Sequence, residues 1–199
     1  MTAVPATSIT DPAWLRTQIG LAARRYGCAR PAVLGTIWWY SASSVLVAPT
    51  VEALAKGQAV DPSLPAITLD VTDDGRLLDA HAARPPAGEL GPAMSEALES
   101  AIATIEQVTG ARAPALRAIA TDSIANRLLW AGAPELAEPL LASIGGLPKP
   151  RYFDVGPAKV VHRASCCLIY QVGQPKCVSC PRQRPAERAR RLRAAVTGT

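Results

Sequence analysis

Four of the five cysteines fall within fifteen residues near the C-terminus, as Cys166-Cys167, nine further residues, and Cys177-Val178-Ser179-Cys180. Four thiols drawn together so tightly read as a metal site, and whatever surrounds them must fold to present four sulfurs to one centre. Thiolate is a soft ligand that selects zinc, cuprous copper or an iron-sulfur cluster, and four of them satisfy tetrahedral zinc or a [2Fe-2S] rhomb. A zinc ribbon normally brings two separated Cys-x2-Cys knuckles, and here Cys177 and Cys180 form one. Cys166 and Cys167 are adjacent, and neighbouring side chains on an extended strand point to opposite faces. The backbone must therefore bend at that pair. A two-iron cluster, whose four ligand positions span a wider footprint than one zinc ion, is the easier fit.

The run Arg163-Ala164-Ser165-Cys166-Cys167-Leu168-Ile169-Tyr170, followed by Cys177-Val178-Ser179-Cys180-Pro181, resembles the C-terminal signature of the FhuF-like ferric-siderophore reductases. The resemblance implies that Cys166, Cys167, Cys177 and Cys180 hold a [2Fe-2S] cluster, and that the protein passes one electron to siderophore-bound iron(III), releasing iron(II). It also implies that a ferredoxin or flavoprotein reductase supplies the electrons. The spacer from Leu168 to Lys176 is one residue shorter than is common in the family, a loop deletion that closure entropy tolerates.

A chain of 199 residues, 49% apolar, can bury a sizeable core in one domain with a small cluster module packed on it. The fold class expected is α+β and predominantly helical: a helix-rich domain over 1–148 with a β-hairpin near 66–80, then a C-terminal iron-sulfur segment over 149–199. Met1 to Asp11 lacks the basic patch and apolar run of a secretory signal. A cytoplasmic location, where thiols stay reduced, is the expectation. Pro31 to Val51 carries no charge and is long enough to weigh as a membrane span. Its serines, Pro49 and the central Trp38-Trp39-Tyr40 cluster argue instead for a buried helix ending near the serines, so no transmembrane segment is expected.

Charge is divided unevenly. Lys149 to Thr199 holds eleven Lys and Arg against Asp154 and Glu187, while the preceding part is mildly acidic. One reading of the basic helix Pro185 to Ala195 is a solvated face. A second is electrostatic, because a four-thiolate [2Fe-2S] core is anionic in both oxidation states, and nearby positive charge favours the reduced one and attracts an acidic partner or anionic chelate. Non-specific nucleic-acid binding ranks behind both.

The remaining elements follow from caps and periodicity. Asp11-Pro12 starts a helix that runs from Ala13 to Tyr26 and stops at Gly27. Ala32 to about Ser43 forms a second helix, with a separate short one over Val51 to Lys56. Ala66 to Thr72 and Arg76 to Ala80, joined by Asp73-Asp74-Gly75, read as a hairpin. Helices follow over Pro92 to Val108, Pro114 to Ala131 and Pro134 to Ile144, and Pro148 and Pro150 mark a linker.

No Gly-x-Gly-x-x-Gly fingerprint or phosphate loop is present, so electrons must come from another protein. Outer-sphere reduction requires no acid-base dyad or nucleophile, and no catalytic side chain is assigned beyond the ligands. Arg163, beside the cysteine pair, is the basic residue expected to tune the potential or touch an anionic chelate. His81 and His162 read as surface or hydrogen-bonded histidines, and Cys28 as a small buried hydrophobe. Core packing is expected for Trp38, Trp39, Tyr40 and Trp130, and an exposed tryptophan among them would point to a siderophore groove. Asn126 reads either as a ligand contact or as a packing contact. Two further functional classes stay open: a structural zinc protein, and an iron-sulfur DNA-binding regulator using the basic C-terminal helix.

Overall fold

The computed structural model describes residues 1–156 and 158–197, with the side chains up to Val196. Its first element, β1 (Thr2–Pro5), is an edge strand, where a proline breaks no ladder bond. Helix α1 (Pro12–Tyr26) starts as its sequence predicts. The Asp11 carboxylate accepts from Ala13 N–H at 2.8 Å, and Gly27 closes the helix at φ 58°. Strands β2 (Ile67–Val71) and β3 (Leu77–Ala82) form the expected hairpin, and β1 pairs antiparallel with β2 to make a three-stranded sheet. Ile67, Leu69 and Val71 alternate inward, as a sheet with one buried face requires. Gly75 takes φ 77° in the turn, and Arg25 of α1 ties that turn down through the Asp74 carbonyl and carboxylate.

The main correction concerns α2 (Pro31–Ala55), which is one uninterrupted helix of 25 residues rather than two short ones. Pro49 costs a helix interior about 3 kcal/mol, yet the helix passes through it because most of its length is buried. The serines that read as an end signal are packing contacts. Ser43, fully buried, shares a 2.8 Å hydrogen bond with Ser123 on α4 (Ala113–Trp130), and Ser44 accepts from Arg127 of the same helix at 3.2 Å. By length and composition α2 is also apolar enough to cross a membrane, but 72% of its most apolar window is buried inside the fold.

Around α2 stand α4, α3 (Leu90–Thr109), α1 and the sheet, with α5 (Ala137–Ile144) packed on α3 and α4, enclosing Trp39, Leu98, Ile102, Leu116 and Ile119. Trp39 Nε1 donates to Leu116 O at 2.9 Å across α2 and α4, so the largest core side chain has its polar atom satisfied.

After Pro150 the chain forms a second hairpin, β4 (Tyr152–Val155) and β5 (Ala158–Val161), in a stretch to which the sequence reading assigned no element. The signal was available in the β-rich runs Tyr152-Phe153 and Val160-Val161 on either side of Gly156. This hairpin lies on α4. Tyr152 Oη donates to Ala125 O at 3.0 Å, and Thr121 Oγ1 donates to Pro148 O at 3.0 Å. The last element, α6 (Pro185–Thr197), is the predicted basic helix. The predominantly helical α+β class stands.

At Gly35 of α2, an added Cβ would lie 2.4 Å from Thr109 Oγ1 at the end of α3. Gly35→Ala gains roughly 0.5–1 kcal/mol of helix propensity but loses about 1–3 kcal/mol by overpacking. Net destabilisation in urea unfolding is expected, and a midpoint above that of the parent protein would refute this close approach.

Candidate iron-sulfur site

The required bend at the cysteine pair is supplied by Leu168, the one non-glycine residue among those described with positive φ, at 63°. A leucine there costs about 1–2 kcal/mol relative to an ordinary conformation. The turn aims successive amides back at the sulfurs: Leu168 N–H donates to Cys166 Sγ at 3.4 Å, and Ile169 N–H donates to Cys167.

The Cys-x2-Cys end is a tight turn closed by Cys180 N–H on Cys177 O at 3.1 Å. Gln183, buried, clamps it by donating from Nε2 to both Cys177 O and Val178 O, at 2.6 and 3.1 Å. Arg191 of α6 holds Gln183 in turn, giving Nη1 to its Oε1 at 3.1 Å and Nη2 to Lys176 O at 3.0 Å. Part of the basic helix therefore works as a strut on the knuckle, which qualifies the reading of a purely solvated face. The spacer is a 3-10 turn, Ile169–Val172, tied to the start of α2 by Arg30, whose Nη1 donates to Gln171 Oε1 at 2.9 Å.

These turns bring all four predicted cysteines together in the reduced state, sorted into two sulfur pairs. Cys166 and Cys180 stand 3.6 Å apart, while the Cys177 thiol donates to Cys167. Cys166, Cys167 and Cys180 are buried, and Cys177 is half-exposed. Among the described residues, no three Cys, His, Asp or Glu side chains converge as a site for a single ion.

Arg163 lies against this group, 4% exposed, with Nη1 donating to Cys177 Sγ at 3.2 Å and its guanidinium 4.4 Å from the centre of the Tyr40 ring. Its charge is balanced by Asp122, 2% exposed on α4, with Nε and Oδ2 separated by 3.6 Å. The other oxygen of Asp122 accepts from Ala164 N–H at 3.2 Å. Nothing in the sequence marked Asp122, because its partners lie about forty positions later along the chain.

Burial pushes the Asp122 carboxyl up to about 6, against the pull of the Ala164 amide and the guanidinium. Burial also works against the charge on Arg163, but Tyr40, Cys167, Cys177 and Asp122 together hold its pKa above the ordinary guanidinium value. The donated thiol of Cys177 brings Cys167 down to about 5, helped against burial by Ile169 N–H and Arg163. The same bond and burial hold Cys177 up. Cys166 is pushed up to about 11, chiefly by burial.

The other candidates take structural places. His162 faces Phe153 and bonds Arg188 through Nε2 at 3.2 Å, and burial with Arg188 and Arg151 keeps its pKa low. His81 pairs with Asp70 at the surface, and Cys28 packs against the main core. Asn126 donates to Asp122 O within α4, a helix contact. Trp38 and Trp39 are core residues as expected, but Tyr40 is 37% exposed beside the sulfurs and Trp130 is 69% exposed beneath Arg127. Both depart from the core expectation: Tyr40 lies at the edge of the core with its ring against the buried Arg163 guanidinium, and Trp130 lies at the C-terminal end of α4, clear of the packed interior.

The donor set fits an anionic sulfur-rich centre. Arg163 Nη2 is a buried donor without a hydrogen-bond acceptor in the protein, and sulfide and thiolate sulfurs are acceptors of the right charge. Residues 163–182 match the family described as the FhuF 2Fe-2S C-terminal domain. The match bears out the resemblance over that segment, and the description names a [2Fe-2S] cluster as the cofactor. No curated protein and no solved structure matches the chain.

Asp122→Ala leaves a buried guanidinium uncompensated and removes the acceptor for Ala164 N–H. A loss of about 3–5 kcal/mol is expected from breaking a buried pair. Chemical denaturation of the purified protein checks it, and an unchanged midpoint would mean that the pair does not hold the cysteine segment on α4.

Proposed function

We propose that this chain, which carries an FhuF-type 2Fe-2S segment over residues 163–182, is a ferric-siderophore reductase of the cytoplasm. Cys166, Cys167, Cys177 and Cys180 are its cluster ligands. The observation that carries the reading is the coincidence of that match with four reduced sulfurs set in two close pairs. When bound, the cluster supplies a one-electron store.

The chain's own side chains do the rest. Arg163 keeps a buried positive charge against Cys177, which favours the more negative, reduced form. Its burial supports tuning of the potential rather than contact with a bulky chelate. Gln183 and Arg191 hold the knuckle, and Asp122 holds the turn before Cys166. Burial of Cys166, Cys167 and Cys180 keeps water from those sulfurs.

Siderophores bind hard iron(III) much better than iron(II), so a single electron loosens the complex and lets iron leave. The electron donor is a separate protein, a ferredoxin or flavoprotein. We take 149–199 as the cluster-bearing unit and 1–148 as the body on which it is mounted. The sorting of the sulfurs into pairs supports a two-iron centre over one tetrahedral zinc ion. The inward bonds of Arg188 and Arg191 favour this reading over a DNA-binding face for α6.

Anaerobically purified protein is expected to be reddish-brown with about two irons per chain. A colourless zinc protein would overturn the assignment, and gel shifts absent even at low salt would remove the DNA reading. Reduced protein mixed with ferric chelates should reoxidise as an iron(II) trap fills. A cluster that stays reduced with every chelate tried would leave it an electron carrier of another kind. Serine at any one of the four cysteines should bleach or destabilise the cluster, and full retention would remove that residue from the ligand set.

A further inference from the structure

The pairing of the sulfurs crosses the two motifs. Cys166 of the adjacent pair stands with Cys180, and Cys167 with Cys177. Two thiolates on one tetrahedral metal, with bonds near 2.3 Å, sit roughly 3.8 Å apart, and the 3.6 Å between Cys166 and Cys180 is that separation. Cys166 and Cys180 therefore suit one iron, which leaves Cys167 and Cys177, the latter under the Arg163 guanidinium, for the other, so that each iron takes one cysteine from the adjacent pair and one from the knuckle.

The two halves differ in charge and exposure. Cys166 receives Leu168 N–H, a neutral donor, and lies beside Cys180, with no cation recorded on either sulfur among the described residues. The Cys167–Cys177 pair receives Ile169 N–H and also the guanidinium of Arg163, whose Nη1 lies 3.2 Å from Cys177 Sγ. A cation and a charge-assisted hydrogen bond at a ligand sulfur stabilise added negative charge on that metal. Exposure points the same way at Cys177: Cys166, Cys167 and Cys180 are 8%, 3% and 1% exposed, whereas Cys177 is partly exposed and its neighbour Val178 is 36% exposed. Electron transfer falls off steeply with distance, so the half nearest the surface is the better port.

We propose that Cys167 and Cys177 hold the iron that takes up and releases the electron, that Arg163 selects it, and that Asp122 is the positioning residue that holds Arg163 there. The proposal rests on the two-iron reading above. With a cluster bound, Cys167 and Cys177 would hold the iron that accepts one electron from the donor protein and passes it to the chelated iron(III), so that one oxidation balances each reduction, while Cys166 and Cys180 would hold the iron that stays ferric.

The test is a serine series in the holoprotein, read by visible absorption, electron paramagnetic resonance after dithionite reduction, and midpoint potential. Serine oxygen is a harder ligand that favours iron(III), so its largest effect falls on the iron that changes oxidation state. Cys167→Ser and Cys177→Ser should lower the potential more than Cys166→Ser and Cys180→Ser. Grouping by motif, with Cys166 and Cys167 behaving alike, or a larger effect at Cys166 and Cys180, overturns the proposal. Should the serine variants lose their iron, Arg163→Gln and Arg163→Lys keep all four ligands. Glutamine should lower the potential and change the resonance signal of the reduced protein, lysine should recover part of the shift, and Asp122→Ala should change the same signal. An unaltered potential and signal in Arg163→Gln refutes the selection. A coloured, reducible protein that fails these tests defeats this proposal alone, whereas a protein without iron defeats the underlying reading.

Discussion

The buried contact between Asp122 and Arg163 joins the helical body to the cysteine segment. Neither charge is tolerable alone in the interior, since each loses several kcal/mol of hydration. Their separation of 3.6 Å and the 3.2 Å bond from Ala164 N–H hold the turn before Cys166 on α4. The same guanidinium donates to Cys177 and stacks on Tyr40 of α2. One side chain thereby relates both cysteine motifs to α2 and α4, and the positive charge beside the sulfurs is also the charge that fastens the site.

Local geometry completes the arrangement. The left-handed Leu168 is strained, and the strain is offset by what the turn makes available, namely two amides directed at adjacent sulfurs. The knuckle has its own support in Gln183 and Arg191, so the basic C-terminal helix serves the site structurally as well as through its field. Because the spacer is pinned to the start of α2 by Arg30, its shorter length does not leave the two motifs apart.

Where capping chemistry was explicit, the sequence was a reliable guide to the fold. Asp11-Pro12 and Gly27 bound α1, Gly110 follows α3, and Asp73-Asp74-Gly75 turns the β2–β3 hairpin. It misled where burial outweighed local preference. Ser43 and Pro49 look like the end of a helix, but Ser123 satisfies the Ser43 hydroxyl and the packed surface of α2 offsets the proline. Strand β1 carries almost no pattern of its own over Thr2 to Pro5 and exists because the edge of β2 is there to pair with. Exposure of Trp130 depends on which turn of α4 outruns the core, which composition does not encode.

At the site the division is equally physical. Spacing and thiol chemistry alone singled out Cys166, Cys167, Cys177 and Cys180 as candidate ligands and showed the need for a bend at the first two, because ligand softness and strand geometry are properties of residue type and order. Arg163 was suspect for its adjacency. Tertiary structure decided which sulfur stands next to which, that Arg163 faces inward to Cys177 rather than out to solvent, and that Asp122 balances it. Those relations join residues far apart in the chain through a common buried volume, and such contacts exist only once the helices have packed.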